Sequence, residues 1–122
     1  MLVVVLAACG DDSEPVATPG RCTEAAAGLA TLVAEDLAWS PDCLRAGADE
    51  PLTIRLENRD DGVQHNVHLT DAPGEPTTQL AAGPTTQELE VTLAEGDYAY
   101  VCDIHPNMVG RLEVTGSNPA VP

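Results

Sequence analysis

The sequence predicts an all-β protein in which short strands pack as a β-sandwich. From residue 50 onward, apolar and polar residues alternate over short runs, and clusters of turn-forming residues separate these runs. The chain has 122 residues, of which 43% are hydrophobic. This length is typical of one domain, and the hydrophobic content is sufficient for a buried core. We therefore expect a single sandwich domain.

The individual strands are predicted from apolar residues that occur at every second position. Segment 52–56 alternates Leu, Ile and Leu with polar residues, and the polar run 58–62 ends it. The segments that we expect to form strands are 52–56, 67–69, 89–93, 98–102 and 112–114. Residues 94–97 are expected to form a turn. The polar segment 71–87 contains three prolines and should be an irregular surface connection.

Segment 24–38 is the part of the chain where the residues alone leave two alternatives. Its apolar residues recur at helical spacing, and its many alanines favour a helix. Gly28 weakens the helix, however, and Pro41 and Asp42 end the segment. A strand with a bend near residues 35–36 therefore remains open.

Composition and charge exclude one class of partner. The chain has 20 acidic residues against 5 basic ones, all arginine and dispersed, which gives a net charge of −15. Binding to a phosphate backbone depends on clustered cations, so we expect no nucleic-acid partner. With no Phe, one Trp and two Tyr, the core must consist mainly of aliphatic side chains, and a covalent cross-link would help to stabilise it.

The first residues predict a processed and lipidated N-terminus. Residues 1–8 are apolar but far shorter than the ~20 residues of a membrane-spanning helix. Together with Cys9 and Gly10 they resemble the lipobox of bacterial lipoproteins, which implies a signal-peptide remnant and a lipid on Cys9. No Lys or Arg precedes Arg21, consistent with a true start upstream of Met1. The alternative is a frayed apolar end with a free thiol.

These features divide the chain into four parts. A signal-peptide remnant (1–8) is followed by a lipidated tether (9–22), which is acidic and rich in Pro and Gly. The folded domain should occupy 23–116, and a loose tail 117–122. The lipid would place the domain outside the cytoplasmic membrane, either in the periplasm or on the outer surface of a bacterial cell.

The four cysteines suggest one disulfide. Cys9 is assigned to the lipid, and the chemistry around Cys102 favours a metal thiolate. The remaining pair, Cys22 and Cys43, would close a loop of about twenty residues, a constraint worth roughly 3 kcal/mol in the chain-entropy model. Disulfides persist outside the cytoplasm, which suits the predicted location. The alternative is two unrelated buried thiols.

A group of soft ligands indicates a copper site. Cys102, His105 and Met108 follow one another at three-residue spacing, and His65 lies well upstream. Two imidazoles and a thiolate in a trigonal plane, with a weak axial thioether, describe a blue-copper electron-transfer site. A structural zinc site prefers more thiolates or imidazoles and rarely uses a thioether. His68 has the opposite parity to His65 and is expected to face away.

These residues resemble the cupredoxins, most closely the plastocyanin and amicyanin branch. The matching motifs are CDIHPNM at 102–108, within 96–110, and HNV at 65–67, with weaker support from 36–41 and 52–58. The resemblance covers 29–115. It implies a Greek-key β-sandwich of about seven to eight strands, which favours the strand alternative for 24–38. It also implies one copper per chain, cycling between Cu(I) and Cu(II), with His65, Cys102 and His105 as equatorial ligands and Met108 as the axial one.

The resemblance extends to residues around the ligands. Asn66 matches the residue that ties the two ligand loops together, but its usual hydroxyl partner is replaced by Asp103, which only accepts hydrogen bonds when ionised. Tyr98 is either a tyrosine corner or a core tyrosine. Ile104 stands where many plastocyanin-like sites have Pro. We therefore expect the backbone N–H groups of Ile104 and Asn66 to donate to the Cys102 sulfur.

The function implied is that of a lipid-anchored, monomeric electron carrier. Its partner would be another redox protein, such as a cytochrome or a membrane oxidoreductase. The alternative is an extracytoplasmic copper storage or copper-delivery protein that uses the same ligands. We do not expect an enzyme, because a multicopper enzyme needs further imidazoles for a second copper centre and only His68 remains.

Overall fold

The computed structural model describes residues 22–116, and this part of the chain is all-β, as predicted. It contains no helix long and apolar enough to cross a membrane. Seven of the strands in this part have three or more residues, in line with the prediction, and four have two. The strands are β1 (Thr23–Glu24), β2 (Leu29–Glu35), β3 (Ala38–Ser40), β4 (Cys43–Gly47), β5 (Pro51–Asn58), β6 (Gln64–His65), β7 (His68–Leu69), β8 (Ala81–Ala82), β9 (Thr85–Thr92), β10 (Gly96–Cys102) and β11 (His105–Thr115).

Two larger sheets form the sandwich. One has the order β9-β5-β2-β3 and the other β1-β4-β11-β10-β7, while β6 and β8 pair separately. The pairs β2/β5, β4/β11 and β1/β4 are parallel, and the remaining pairs are antiparallel. Parallel neighbours cannot be joined by a hairpin, so the chain crosses repeatedly between the sheets. The predicted β-sandwich is confirmed.

Segment 24–38 contains the strand β2 and no helix, so the helix alternative is wrong. In β2, Ala30, Leu32 and Ala34 alternate inward and are at most 3% exposed, while the parallel partner β5 fixes their register. Asp36 and Leu37, with φ of 56° and 58°, form a tight turn that leads into β3. The apolar residues of this segment fit both the helical period and the two-residue period of a strand. The strand forms because every second residue packs against the other sheet.

The core is aliphatic around one aromatic pair. Leu32, Ile54, Leu69 and Leu112 have no exposed surface, and the predicted inward residues of 52–56 are all buried. Trp39 and Tyr100 meet edge to face with ring centroids 5.8 Å apart. The Tyr100 hydroxyl donates to the Pro41 carbonyl at 2.8 Å, so this polar atom is satisfied inside the core.

Two tyrosine side chains of β10 make specific contacts, one within the β10–β11 hairpin and one with the turn that precedes it. A Cβ at Gly110 would lie 2.3 Å from the Tyr100 ring, so only glycine fits beneath that side chain. The Tyr98 hydroxyl donates to the Ala94 carbonyl, four residues upstream, at 2.7 Å. This is the hydrogen bond of a tyrosine corner, and it favours that interpretation over a simple core tyrosine.

A disulfide joins Cys22 to Cys43, the pair left by the cysteine count. It ties the chain before β1 to the first residue of β4. The predicted signal-peptide remnant, the lipidation site Cys9, nearly all of the tether and the tail lie outside the described residues.

We predict that replacing Cys22 and Cys43 together by Ala lowers the free energy of unfolding. Loss of a cross-link spanning 21 residues should cost about 3 kcal/mol. Urea unfolding of the metal-free proteins measures the change, and reductant is the matched control. Reductant should destabilise the wild type to the same extent and leave the double variant unchanged. Equal midpoints for the two proteins without reductant would contradict the prediction.

Candidate metal centre

Three of the predicted ligands converge at one end of the sandwich. The Cys102 sulfur lies 3.7 Å from Nδ1 of His65 and 3.4 Å from Nδ1 of His105. The three ligand atoms lie within 4.8 Å of one another. The two imidazole rings have centroids 4.8 Å apart and are inclined by 60°. Both histidines therefore present the same ring nitrogen to the space beside the thiol.

The sheet pairing explains why these residues meet. Strands β10 and β11 form a hairpin whose register shifts after Val101, so that Cys102 pairs with His105 across a two-residue turn. On its other side, β10 pairs with β7, where Val101 lies opposite His68. This pairing draws the segment that carries His65 alongside Cys102. Ligands distant in sequence are thus brought together by backbone hydrogen bonds.

The group is buried at its centre and accessible on one side. His65 and Cys102 are 1% and 2% exposed, whereas His105 is half-buried. Met108 is 1% exposed and belongs to the hydrophobic core. It lies three residues after His105 along β11, and it shares the core cluster with Cys102. Nearby, Asn107 donates to the Leu37 carbonyl at 3.0 Å and holds β11 to the β2–β3 turn.

The donor atoms fit copper. Imidazole nitrogens and a thiolate are strong ligands for this metal, and a buried thioether is a soft axial donor. A structural zinc site would present four strong nitrogen or sulfur donors, whereas only three lie together here among the described residues. His68 is not part of the group, as its parity predicted.

Asn66 connects the two ligand loops through Asp103. The Asp103 N–H donates to Asn66 Oδ1, and Asn66 Nδ2 donates to Asp103 Oδ2, both at 2.9 Å. The acceptor-only carboxylate is therefore compatible with the cross-link, because Asn66 supplies the proton that a hydroxyl would otherwise provide. Asp103 also contacts His68 Nδ1 at 2.8 Å, while His68 Nε2 lies 3.3 Å from Glu75.

This network sets the charges beside the site. The hydrogen bonds from His68 and Asn66 lower the pKa of Asp103. Conversely, the hydrogen bond to Asp103 raises the pKa of His68 despite partial burial, and the charge of Glu75 adds to the effect. The hydrogen-bonded pair of Asp103 and His68 therefore lies beside Cys102 but outside the ligand set.

Asp60 is a site residue that sequence reasoning missed. Its Oδ2 lies 2.8 Å from Nε2 of His65, the ring nitrogen that faces away from Cys102. Burial works to raise the pKa of Asp60, but hydrogen bonds from His65, Leu37 and Asp36 together hold that pKa below its ordinary value. In the sequence, Asp60 is one of two adjacent aspartates in a polar turn, and no local pattern distinguishes it from Asp61.

A family model described as a cupredoxin-like domain matches residues 1–114. The chain belongs to this cupredoxin-like family. Among solved structures, a reduced Cu(I) form of an amicyanin mutant is 25% identical, with a TM-score of 0.59, over 73% of this chain and 84% of that one. No curated protein sequence matches the chain significantly.

Two further structures share the cupredoxin fold. Auracyanin A, a "blue" copper protein from Chloroflexus aurantiacus, is 24% identical, with a TM-score of 0.60, over 71% of this chain and 98% of that one. A Cu-containing nitrite reductase from Thermus scotoductus is 21% identical, with a TM-score of 0.59, over 87% of this chain but only 26% of that one. The match thus spans about a quarter of the reductase chain, which is much longer than this one.

In this cupredoxin, the structure brings together His65, Cys102 and His105, and it places Met108 in the adjoining core. Donation from the backbone N–H groups of Asn66 and Ile104 to the Cys102 sulfur stays a prediction. Ile104 itself is 46% exposed, so its side chain lies at the surface beside the site.

We predict that the stabilising effect of His68 depends on pH. Its raised folded-state pKa adds stability that is fully present below the unfolded-state pKa of about 6.5 and is lost as pH rises through the higher folded-state pKa. The free energy of unfolding of the metal-free wild type should therefore exceed that of His68→Gln most at mildly acidic pH. Urea unfolding across a pH series measures this difference, and a difference independent of pH would contradict the prediction.

Proposed function

We propose that this cupredoxin is an electron carrier that binds one copper ion through His65, Cys102, His105 and Met108. The observation that carries the proposal is the convergence of two imidazole nitrogens on one buried thiol, with the buried thioether of Met108 in the same core cluster as that thiol. When bound, copper supplies one-electron chemistry by alternating between Cu(I) and Cu(II). The amicyanin relative, whose structure is described as reduced Cu(I), supports this assignment.

The contribution of the chain is to hold the ligands in one arrangement. Cys102 and His105 are fixed by the β10–β11 hairpin, and the two loops are joined by the pair of hydrogen bonds between Asn66 and Asp103. Ligands held in this way move little when the charge at the site changes, which lowers the reorganisation that accompanies electron transfer. Burial of His65 and Cys102 also keeps water from the thiolate.

The exposed side of the site is the proposed route for electrons. His105 is half-buried, and the apolar side chain of Ile104, the residue before it, is 46% exposed. We propose that a redox protein, such as a cytochrome or a membrane oxidoreductase, docks there. We further propose that a lipid on Cys9 anchors the protein outside the cytoplasmic membrane, since residues 1–10 resemble a lipoprotein processing site.

A copper storage or delivery protein is the second candidate function. The same ligands would serve it, but such a protein must release its metal, and the burial of His65 and Cys102 favours retention. An enzyme is less well supported. The chain contains three histidines, and the third, His68, contacts Asp103 and Glu75 instead of offering a second copper site.

Voltammetry combined with chelator challenge separates the two candidates. A carrier should give a reversible one-electron wave and lose copper slowly to a chelator in both oxidation states. Rapid loss of Cu(I) together with an irreversible wave would support copper delivery and contradict the carrier.

We predict that Cys102→Ser abolishes the intense visible absorption of the Cu(II) protein. This band arises from charge transfer between the thiolate and Cu(II), and the imidazole and thioether ligands do not give an intense band of this kind. The matched control is His68→Gln, which removes a histidine outside the ligand set and should keep the band. Visible spectra after loading with one equivalent of Cu(II) give the result. A coloured Cys102→Ser protein would show that the ligand assignment is wrong.

We predict that Met108→Leu retains copper and raises the reduction potential. Removing a weak axial donor disfavours Cu(II) more than Cu(I). In the matched variant Met108→Gln, an amide oxygen is a harder donor, favours Cu(II) and should shift the potential in the opposite direction. Redox titration followed at the visible band measures both. A fall in potential for Met108→Leu, or complete loss of copper, would contradict an axial role.

A further inference from the structure

Asp60 occupies the loop between β5 and β6, five residues before His65. Its two carboxylate oxygens contact three groups. Oδ1 accepts the Asp36 N–H at 2.7 Å, while Oδ2 accepts the Leu37 N–H at 3.1 Å and lies 2.8 Å from His65 Nε2. One side chain thus bridges the β2–β3 turn and a proposed copper ligand.

The loop that carries Asp60 is itself held from several directions. The Asp60 N–H donates to Asn58 Oδ1 at 2.9 Å, and Asn58 Nδ2 donates to the carbonyls of Val63 and Ala81 at 2.8 and 3.0 Å. Asn58 is only 3% exposed, so these bonds form in the interior. A Cβ at Gly83 would lie 2.4 Å from the Asp60 carbonyl oxygen, which leaves no room for another residue there. The backbone of Asp60 is therefore held by its neighbours on several sides.

The contact with Asp60 determines which His65 nitrogen is free. An ionised carboxylate only accepts hydrogen bonds, so at 2.8 Å it requires a proton on Nε2. In a neutral imidazole, the other nitrogen is then unprotonated. That nitrogen, Nδ1, faces Cys102. The ring is thus prepared to bind a metal before any metal arrives.

We propose that Asp60 is a positioning residue for copper, which holds His65 in its Nδ1-binding tautomer and makes it a stronger donor to Cu(II). The proposal rests on the proposed copper-binding function. A carboxylate that accepts the distal N–H of a ligating imidazole increases the basicity of the ring. A more basic nitrogen stabilises Cu(II) more than Cu(I), so Asp60 lowers the reduction potential. The same carboxylate couples the β2–β3 turn to the ligand.

The first test needs no metal. Long-range ¹H–¹⁵N correlation spectra of the metal-free protein, at a pH where its imidazoles are neutral, show which His65 nitrogen carries the proton. We expect Nε2–H in the wild type and in Asp61→Asn, and a mixture of tautomers in Asp60→Asn. A wild-type proton on Nδ1 would overturn the proposal.

The second test compares reduction potentials. Asp60→Asn and Asp61→Asn each remove one negative charge from adjacent positions, but Asp61 is exposed and its change leaves the His65 contact intact. We expect Asp60→Asn to weaken Cu(II) binding roughly tenfold more than Cu(I) binding. For a one-electron couple, this corresponds to a rise of about 59 mV in the reduction potential. Asp61→Asn should shift the potential much less. Equal shifts would show that charge alone acts, and would overturn the proposal.

Folding and copper binding are controlled separately. If Asp60→Asn does not fold, Asp60→Glu replaces it in the redox titration. This variant keeps the charge but displaces the carboxylate, and we expect the same rise in reduction potential. An unchanged potential in the folded Asp60→Glu protein would overturn the proposal. If the wild type binds no copper, the proposed function fails, whereas the tautomer of metal-free His65 still decides whether Asp60 positions the ring.

Discussion

The antiparallel pairing of β10 with β11 is the constraint on which the site depends. Its register shift places Cys102 opposite His105, and its continuation past Gly110 seats Tyr100 in the core. On one side the hairpin pairs with β7 and so positions the His65 segment. On the other side β11 pairs with β4, which the disulfide ties to the N-terminal end of the domain. A change in this register would displace a ligand and a core side chain together.

The strands were predictable where period-two alternation coincides with burial on one face. Segment 52–56 is a clear case, since its apolar residues point into the sandwich along β5. Segment 24–38 was ambiguous because small alanines occupy both helical and alternate positions. There the parallel pairing with β5 decides the conformation, and a partner more than twenty residues distant leaves no local signal.

The ligands were predictable for a different reason. Thiol, imidazole and thioether groups are scarce in this chain, so their spacing around Cys102 is informative without a structure. Asp60 was not predictable, because aspartate is common here and its role depends on meeting the Asp36 and Leu37 amides as well as His65. The role of a common residue follows from its contacts, which only the fold supplies.

Two carboxylates flank the ligands, and both have lowered pKa values that keep them ionised. Asp60 contacts His65 directly, whereas Asp103 follows Cys102 and is paired with His68. Negative charge next to a metal site favours the higher oxidation state of the metal. The charge of Asp103 is offset when His68 is protonated, while that of Asp60 acts through the imidazole. The two aspartates therefore bias the site differently although they carry equal charge.

Buried polar side chains explain how irregular backbone can hold such a site. Within residues 22–116, the four buried polar side chains are those of Asn58, His65, Asn66 and Thr78, all in or beside the ligand-bearing segment. This segment has few ladder hydrogen bonds, so side chains replace them. The Val67 N–H, for example, donates to the Thr78 hydroxyl at 3.0 Å. Since a buried polar group left unpaired is costly, these bonds specify one loop conformation. The segment that carries His65 is consequently held by hydrogen bonds within the folded chain.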